Sequence, residues 1–359
     1  MSQLGIGRPS PAYVERGGDV VYRTPFRARG ARMYLFFIPA DPRPLQTVID
    51  RALIQPSQGA EAYRTFSGHV IMSFMHVNRL TGGRGDERLG AIPESEGSIW
   101  IPMVDTRRNR LVWMVPYMYV DGSAAVAGGR EIFGLPKQLG QIRIPDADGA
   151  TPQSLSVRAL VIKQFRPRAT ARMRTVFRVD RLGTDGAPLP PAPLVASEGD
   201  FPNARDALLC HRGGGVPDVG RPVPQERRND AEAVAGRRRR ILESSRMGLT
   251  QLLAMFFADF ADDHVTMVQL KQFRDIEDPQ IACFQSIVEV ETFLVRSRAW
   301  GMLPADDYTV DIRKLDGAPI VRELGVNAGP HRPAFALWLD FDFDFDLEAG
   351  QTLWSAPSC

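Results

Sequence analysis

Short β-rich runs separated by turn signals make up most of this sequence, and they constrain the fold more than any other feature. Each run has the length and composition of a strand. The runs are Met33–Ile38, Gly68–Val77, Ser98–Val104, Leu111–Val120, Ser154–Phe165, Ala171–Val179, His264–Phe273, Gln280–Phe293, Asp307–Leu315 and Ala334–Leu347. Helical patterns do not alternate with these runs, so a parallel βαβ sheet is not expected. The sequence therefore predicts an α+β protein with a mainly antiparallel, barrel-like sheet.

Helical patterns occur in three places. Pro44–Leu53 has apolar positions at helical spacing, and the small residues of Asp121–Glu131 predict one or two helical turns. Gly183 to about Arg228 is crowded with Pro and Gly and has no sustained period, which indicates a long loop. Asp230–Phe260 then shows an amphipathic helical pattern. We therefore predict that residues 183–262 form an inserted loop and helix.

Charge and composition exclude several classes of protein. Lys and Arg total 44 against 42 for Asp and Glu, so overall charge directs the chain neither to nucleic acid nor to a membrane surface. The sequence shows no apolar run of bilayer-spanning length and no secretion signal at its start. Cys210, Cys283 and Cys359 form no CxxC pair. We expect a cytoplasmic protein with reduced thiols and without nucleic-acid or membrane partners.

Lys137 has the most distinctive surroundings of any residue in the chain. It follows Leu-Pro, lies between Gly134 and Gly140, and has almost no polar neighbours in sequence. Burial of such a lysine disfavours the ammonium and lowers its pKa, which leaves a neutral amine able to attack a carbonyl. For an arbitrary Pro-Lys pair, a turn lysine pointing into water is the commoner structure. The residues alone leave both interpretations open.

A longer motif around Lys137 resembles the signature of the acetoacetate decarboxylase family in order and spacing. Its parts are Tyr119-Val-Asp121, Gly129-Arg-Glu-Ile132, Pro136-Lys137 and Leu139-Gly140. The resemblance implies one domain over residues 1–359, a double β-barrel or cone with peripheral helices and a helical insertion. It also implies that Lys137 forms a Schiff base with a small keto acid, in a cofactor-independent lyase that assembles into homo-oligomers. Acetoacetate decarboxylase is a known example of a lysine activated by its surroundings.

The same resemblance assigns further residues to the site. Glu96 matches the family glutamate that faces the lysine, where it moves protons or orients the substrate carboxylate. Arg32 falls where the family has an active-site arginine, and a guanidinium binds a carboxylate in a bidentate way. His76 lies near the family pocket. Without the resemblance, a solvated loop glutamate, a strand-edge arginine and a packed strand histidine are the alternatives. Arg130 and Glu131 are interpreted as an ion pair or hydrogen-bonded brace beneath the lysine.

The sequence departs from the family pattern at two positions of the pocket. Gln138 replaces a second lysine, and Ile71 replaces a second glutamate. Two like charges a few ångströms apart repel by about 4 kcal/mol at an effective dielectric near 20. Loss of that neighbouring charge therefore leaves the pKa of Lys137 dependent on desolvation. A decarboxylase acting on a small keto acid is the leading hypothesis. An aldolase or dehydratase of the same superfamily and a catalytically silent barrel that binds a small ligand are the alternatives.

No metal or cofactor site is predicted from the remaining motifs. The five histidines have no paired spacing. The aspartates between Leu339 and Leu347 alternate with aromatic residues like the wet face of a strand, although a calcium site is an alternative. The apolar face of Asp230–Phe260 requires a partner, for which a barrel cap, an active-site lid and another subunit are the candidates. The family resemblance favours another subunit.

Overall fold

A computed structural model describes residues 12–14, 22–145, 149–183, 185–197, 201–210, 236, 238–242, 248–261, 264–345 and 350–356. Its strands and helices are named here in chain order. They are β1 (Phe26–Pro39), α1 (Pro42–Ile49), β2 (Tyr63–Thr65), β3 (His69–Thr81), β4 (Ile92–Asp105), β5 (Arg110–Val120), α2 (Ser123–Phe133), β6 (Lys137–Arg143), β7 (Ser154–Val161), β8 (Arg172–Arg181), α3 (Phe201–Cys210), α4 (Leu249–Ala261), β9 (His264–Arg274), β10 (Ala282–Met302), β11 (Tyr308–Ile312), α5 (Ile320–Leu324), β12 (Gly329–His331), β13 (Phe335–Phe345) and β14 (Gln351–Ser355).

Seven of the described strands close into a barrel. They follow the order β5-β9-β10-β13-β1-β3-β4, and β4 pairs back onto β5. The pairings are antiparallel except that of β5 with β9, a single parallel bridge between Trp113 and Met267. Closure removes the open edges that a sheet of this size would otherwise expose. The predicted barrel-like, mainly antiparallel architecture is confirmed.

A second group of strands continues the sheet outside the barrel, in the order β6-β7-β8-β11-β12. It covers the outer face of the barrel, so a second apolar core forms between the two layers. The ring of Phe74, on β3, meets Phe177 of β8 edge-on with centroids 5.6 Å apart. Barrel strands are thereby buried on both faces. The unbroken apolar run from Tyr34 to Ile38 in β1 has this cause, because neither face of that segment meets water.

The sequence analysis missed a parallel crossover formed by β5, α2 and β6. Met118 of β5 pairs in parallel with Lys137, so the lysine is the first residue of a strand. The connecting helix α2 has 11 residues, which is longer than the predicted one or two turns. It ends at Gly134, whose φ of 66° is left-handed and favours glycine. A Cβ at Gly134 would also lie 2.8 Å from the Cα of Lys271 in β9.

Helix α4 packs inside the molecule and caps the barrel. Phe256 contacts the barrel residues Phe37 and Trp113, with ring centroids 5.7 and 6.1 Å apart. Asp259 accepts hydrogen bonds from Nε1 of Trp113, at 3.1 Å, and from Arg238, at 2.9 Å. The expectation that this apolar face binds another subunit is therefore wrong for α4, because the chain's own barrel buries it. The predicted insertion also includes residues 211–235 and 243–247, which lie outside the described residues.

Two observations on other features complete the fold. The aspartates of β13 do not form a simple wet face, because Asp340, Asp342 and Asp344 form ion pairs with arginines. Their partners are Arg32, Arg298 and Arg29, respectively. Within the described residues, no helix is long and apolar enough to cross a membrane.

The contact between the two layers can be tested at Gly97 of β4. A Cβ at this position would lie 2.2 Å from Cγ2 of Val157 in β7. We expect Gly97→Ala to lower the free energy of unfolding by about 1–3 kcal/mol, because the core has no room for the methyl group. Urea denaturation of Gly97→Ala, Val157→Ala and the double variant measures the effect. The double variant should be more stable than the sum of the single changes predicts; simple additivity would contradict the proposed clash.

Candidate active site

The interior of the barrel contains a cavity of about 140 Å³. Strands β1, β3, β4, β5, β9, β10 and β13 and helices α2 and α4 contribute its walls, which are mainly aliphatic and aromatic. Lys137 enters it from β6. Among the described lining residues, the ionisable side chains are Tyr22, Glu94, Glu96, Lys137 and His264. The charges of two glutamates and a lysine thus lie in an otherwise apolar space.

The side chain of Lys137 is buried, and the absence of a side chain at Gly129 leaves room for it. The side chain is 11% exposed, and its Nζ lies 2.7 Å from Oε1 of Glu94. Gly129 of α2 packs beside it, and a Cβ there would lie 2.4 Å from Cδ of Lys137. Arg130 approaches from outside, with Nη1 3.5 Å from the carbonyl oxygen of Lys137. The Gly-Arg part of the motif therefore provides space for the lysine and a weak contact to its backbone.

The expected contact between Arg130 and Glu131 is not observed among the described residues, so the prediction that Glu131 belongs to the brace is wrong. Glu131 forms no ion pair with Arg130 among the contacts of the described residues. It accepts a hydrogen bond of 3.1 Å from the hydroxyl of Tyr13 instead. The two side chains are adjacent on α2, and neighbouring positions on a helix do not face each other.

Glu94 and Glu96 project from the same face of β4, because residues two apart on a strand lie on one side. Glu96 is 3% exposed, and its Oε1 lies 3.4 Å from the hydroxyl of Ser98. Ser98 in turn accepts a hydrogen bond of 2.8 Å from Nε1 of Trp100. The sequence analysis placed Glu96 in the site and missed Glu94. Its spacing of two from Glu96 was the available signal, but the predicted strand began at Ser98 and included neither glutamate, whereas β4 begins at Ile92.

Burial and mutual charge shift the pKa values of Glu96 and Lys137. Burial raises the pKa of Glu96 to about 7, with Glu94 adding to the rise and Lys137 opposing it. Burial acts to lower the pKa of Lys137, but the charges of Glu94 and Glu96 and the Glu94 hydrogen bond raise it above its usual value. The expectation of a lysine neutralised by desolvation is therefore wrong. At neutral pH the group is an ammonium paired with Glu94.

Of two predicted pocket residues on β3 and β6, Ile71 lines the pocket and Gln138 does not. Ile71 pairs with Trp100 of β4. Gln138 follows Lys137 on β6 and is exposed, so it points away from the pocket and does not contact a ligand there. A cation at position 138 would also point outwards. Its absence therefore removes less repulsion from Lys137 than the sequence analysis assumed.

Arg32 and His76 do not reach the pocket. Arg32 lies beside the lining residue Met33 on β1 and projects from the opposite face, where its Nε and Nη2 each lie 2.7 Å from a carboxylate oxygen of Asp340. His76 contacts the hydroxyl of Ser95 at 3.0 Å, also on the face opposite the pocket. The described pocket therefore offers no guanidinium to a substrate carboxylate. The described residues also contain no group of three or more His, Cys, Asp or Glu suited to a metal ion.

These features define a closed β-barrel protein with a buried lysine and two carboxylates in an apolar interior. The family model described as acetoacetate decarboxylase (ADC) matches residues 10–230, which is more than half of the chain. The chain therefore belongs to the acetoacetate decarboxylase family.

Solved structures show the same fold. An acetoacetate decarboxylase from Legionella pneumophila has 14% sequence identity and a TM-score of 0.52, with 98% of this chain and 94% of that chain covered. A second structure of acetoacetate decarboxylase has 12% identity and a TM-score of 0.52, with coverage of 93% and 91%. The enduracididine biosynthesis enzyme MppR, complexed with pyruvate, has 11% identity and a TM-score of 0.51, with coverage of 94% and 93%. No curated protein matches the sequence significantly.

The raised pKa of Glu96 predicts a pH dependence of stability. The pKa rises from 4.5 to about 7 on folding, so the folded state binds the proton more tightly than the unfolded state. The stabilisation is complete below the unfolded pKa and is lost as pH rises through 7, by about 3 kcal/mol in total. Because Gln does not titrate, Glu96→Gln should not lose this stabilisation. We therefore expect its free energy of unfolding, measured by urea denaturation, to increase relative to that of the native chain as pH rises from about 5 to about 8.

Glu277→Gln is the matched control for this measurement, because Glu277 lies in the exposed connection between β9 and β10. It should follow the native chain at every pH. Parallel stability curves for the native chain and Glu96→Gln would show that Glu96 titrates normally.

Proposed function

We propose that this chain is an enzyme in which Lys137 forms a Schiff base with the ketone of a keto acid, and that the reaction is a decarboxylation. The observation that carries the proposal is the buried Nζ of Lys137, 2.7 Å from Glu94 and close to Glu96, inside an apolar pocket. Membership of the acetoacetate decarboxylase family supports it. So does the structure of MppR with pyruvate, a keto acid bound within the same fold.

The first step converts the ammonium of Lys137 into a nucleophile. When the apolar part of the substrate excludes water, the local dielectric falls and two opposite buried charges become more costly to keep. Transfer of a proton over 2.7 Å from Nζ to Glu94 neutralises both groups. The free amine then attacks the carbonyl carbon, a C–N bond forms as the C=O π bond breaks, and a proton passes from the added nitrogen to the carbonyl oxygen to give a carbinolamine. One proton transfer within the ion pair of Lys137 and Glu94 therefore produces the nucleophilic amine.

Glu96 supplies the acid for the following step. With a pKa of about 7, a substantial fraction of its carboxyl group is protonated near neutral pH. It donates this proton to the hydroxyl of the carbinolamine, water leaves, and a cationic iminium remains. In a β-keto acid, the bond between the carboxylate and the carbon next to the iminium carbon then breaks, its electron pair moves into the iminium to give an enamine, and carbon dioxide departs. Glu94 returns its proton to the enamine carbon, and hydrolysis of the imine by water releases the ketone and regenerates Lys137.

Aldol addition or dehydration is the second candidate, and the pair of carboxylates beside Lys137 is the observation that favours it. One glutamate would remove a proton from the carbon next to the iminium while the other donates to the aldehyde oxygen. MppR has also been solved with the condensation product of pyruvate and imidazole 4-carboxaldehyde. A silent binding barrel remains the alternative from a different class, and adduct trapping distinguishes it.

The organisation of the chain is part of the same proposal. We propose a single domain over residues 1–359 in which residues 183–262 are an insertion. Assembly into a homo-oligomer and a cytoplasmic location stay predictions. Size-exclusion chromatography with light scattering measures the assembly.

The Schiff base is tested by borohydride reduction in the presence of acetoacetate or pyruvate, followed by intact mass measurement. We expect a covalent adduct on the native chain and none on Lys137→Ala, because only the amine of Lys137 faces the pocket among the described lining residues. Lys271→Ala is the matched control. Burial lowers the pKa of Lys271, which makes it the strongest competing amine, yet it lies outside the pocket wall. Loss of the adduct in Lys271→Ala alone would assign the nucleophile to Lys271.

Gly129→Ala tests whether the space beside Lys137 matters. The added Cβ would lie 2.4 Å from Cδ of the lysine, so the flexible side chain has to move away from Glu94. We expect trapping to slow by roughly 100-fold, the effect of a misplacement of about 1 Å. Gly122→Ala, just before α2, is the control because its Cβ would meet only Ala125, at 3.9 Å. Equal trapping rates in the two variants would show that the position of Lys137 is not critical.

A further inference from the structure

The pocket extends far beyond the lysine along β4. Glu94, Glu96 and Trp100 all line it from the same strand. A strand rises about 3.3 Å per residue, so the four steps along the chain from Glu96 to Trp100 span about 13 Å. Acetoacetate and pyruvate are much shorter than this distance. A small keto acid bound at Lys137 therefore leaves the region around Trp100 unfilled.

The region beyond Glu96 is an apolar chamber, defined by Ile71, Trp100, Trp113, Phe256 and Met267. Ile71 lies opposite Trp100 in the sheet, and Met267 lies opposite Trp113. The rings of Trp100 and Trp113 are 6.4 Å apart. Phe256 of α4 packs against Trp113 and contributes to the chamber wall.

The polar atoms of the chamber are already occupied. Nε1 of Trp100 donates to Ser98 at 2.8 Å, and Nε1 of Trp113 donates to Asp259 at 3.1 Å. The indole N–H groups are the donors that tryptophan has, so the chamber presents mainly carbon to a ligand. A polar substrate group there would lose its water without gaining a partner. An apolar group would gain from leaving water.

The charged groups lie at Glu94, Glu96 and Lys137, and the arginine expected to bind a carboxylate lies outside the pocket. A substrate therefore places its keto acid group at the lysine and draws additional affinity from the chamber. We propose that the substrate is a medium-chain β-keto acid whose alkyl tail fills the chamber between Glu96 and Phe256. The chemical step of this inference rests on the proposed function, whereas binding of the tail does not.

A homologous series of β-keto acids tests the proposal on the native chain. Acetoacetate, β-ketocaproate and β-ketocaprate differ only in tail length, and kcat/KM for carbon dioxide release is measured with spontaneous decarboxylation subtracted. We expect kcat/KM to rise about fourfold per added methylene until the chamber is full, the gain that corresponds to burying one CH2 group. A flat series, or one in which acetoacetate is best, overturns the apolar-tail inference and leaves the Schiff base intact.

A second measurement separates failure of the chemistry from failure of the inference. Calorimetric titration with unreactive straight-chain carboxylates, from acetate to decanoate, reports tail binding in both the native chain and Lys137→Ala. Affinity that increases with chain length supports the chamber even where no keto acid is turned over, an outcome that would contradict the proposed function alone. Affinity independent of chain length in both chains overturns the inference.

Phe256→Ala locates the end of the chamber. Removal of the ring lengthens the available space, so the preferred tail should become at least two carbons longer than in the native chain. Phe273→Ala is the matched control, because Phe273 is 40% exposed on β9 and does not line the pocket. Thermal denaturation checks that both variants fold. An unchanged preference in folded Phe256→Ala overturns the placement of the tail against α4, and the series on the native chain decides the inference if that variant does not fold.

Discussion

An ammonium group buried in an apolar barrel requires a nearby carboxylate, and the pair of Lys137 and Glu94 meets this requirement at 2.7 Å. A buried charge without a partner costs several kcal/mol, a large part of the stability of a typical domain. The closed barrel holds the pair together, because β6 pairs with β5 and β5 pairs with β4. The interaction that makes the lysine tolerable inside the fold also provides the base that the proposed chemistry needs.

The barrel could be predicted from sequence because its strands are short, apolar and separated by turns. Strand ends differ from the structure by a few residues at most places, and β1, β4 and β10 are considerably longer than predicted. Strand β6 was missed because Gly134, Pro136 and Gly140 indicate a loop when read locally. Its parallel pairing with β5 depends on the crossover through α2, a contact between segments that local sequence does not show.

Several residues of the candidate site were predicted, but the strand of Lys137 and the faces of other strands were not. Lys137 and Ile71 line the pocket, as does Glu96. Arg32 and Gln138 each lie next to a lining residue and project from the other side of the strand. A family resemblance identifies the strand, but a difference of one residue reverses the face. The sign of the pKa shift of Lys137 depended on Glu94, which the sequence analysis did not include.

The division of the pocket between the strands and α4 separates the residues of the proposed reaction from those of the proposed specificity. Glu94 is on β4 of the closed barrel and Lys137 is on β6, which pairs with β5 of the barrel, whereas the far wall comes from a helix of the proposed insertion. Phe256, Asp259 and Phe260 share one face of α4, since positions three and four apart are neighbours on a helix. Asp259 accepts a hydrogen bond from Nε1 of Trp113. This bond attaches α4 to β5 and so positions the rings of Phe256 and Phe260 in the barrel. We therefore expect a change in this helix to alter the length of the proposed chamber without moving the lysine.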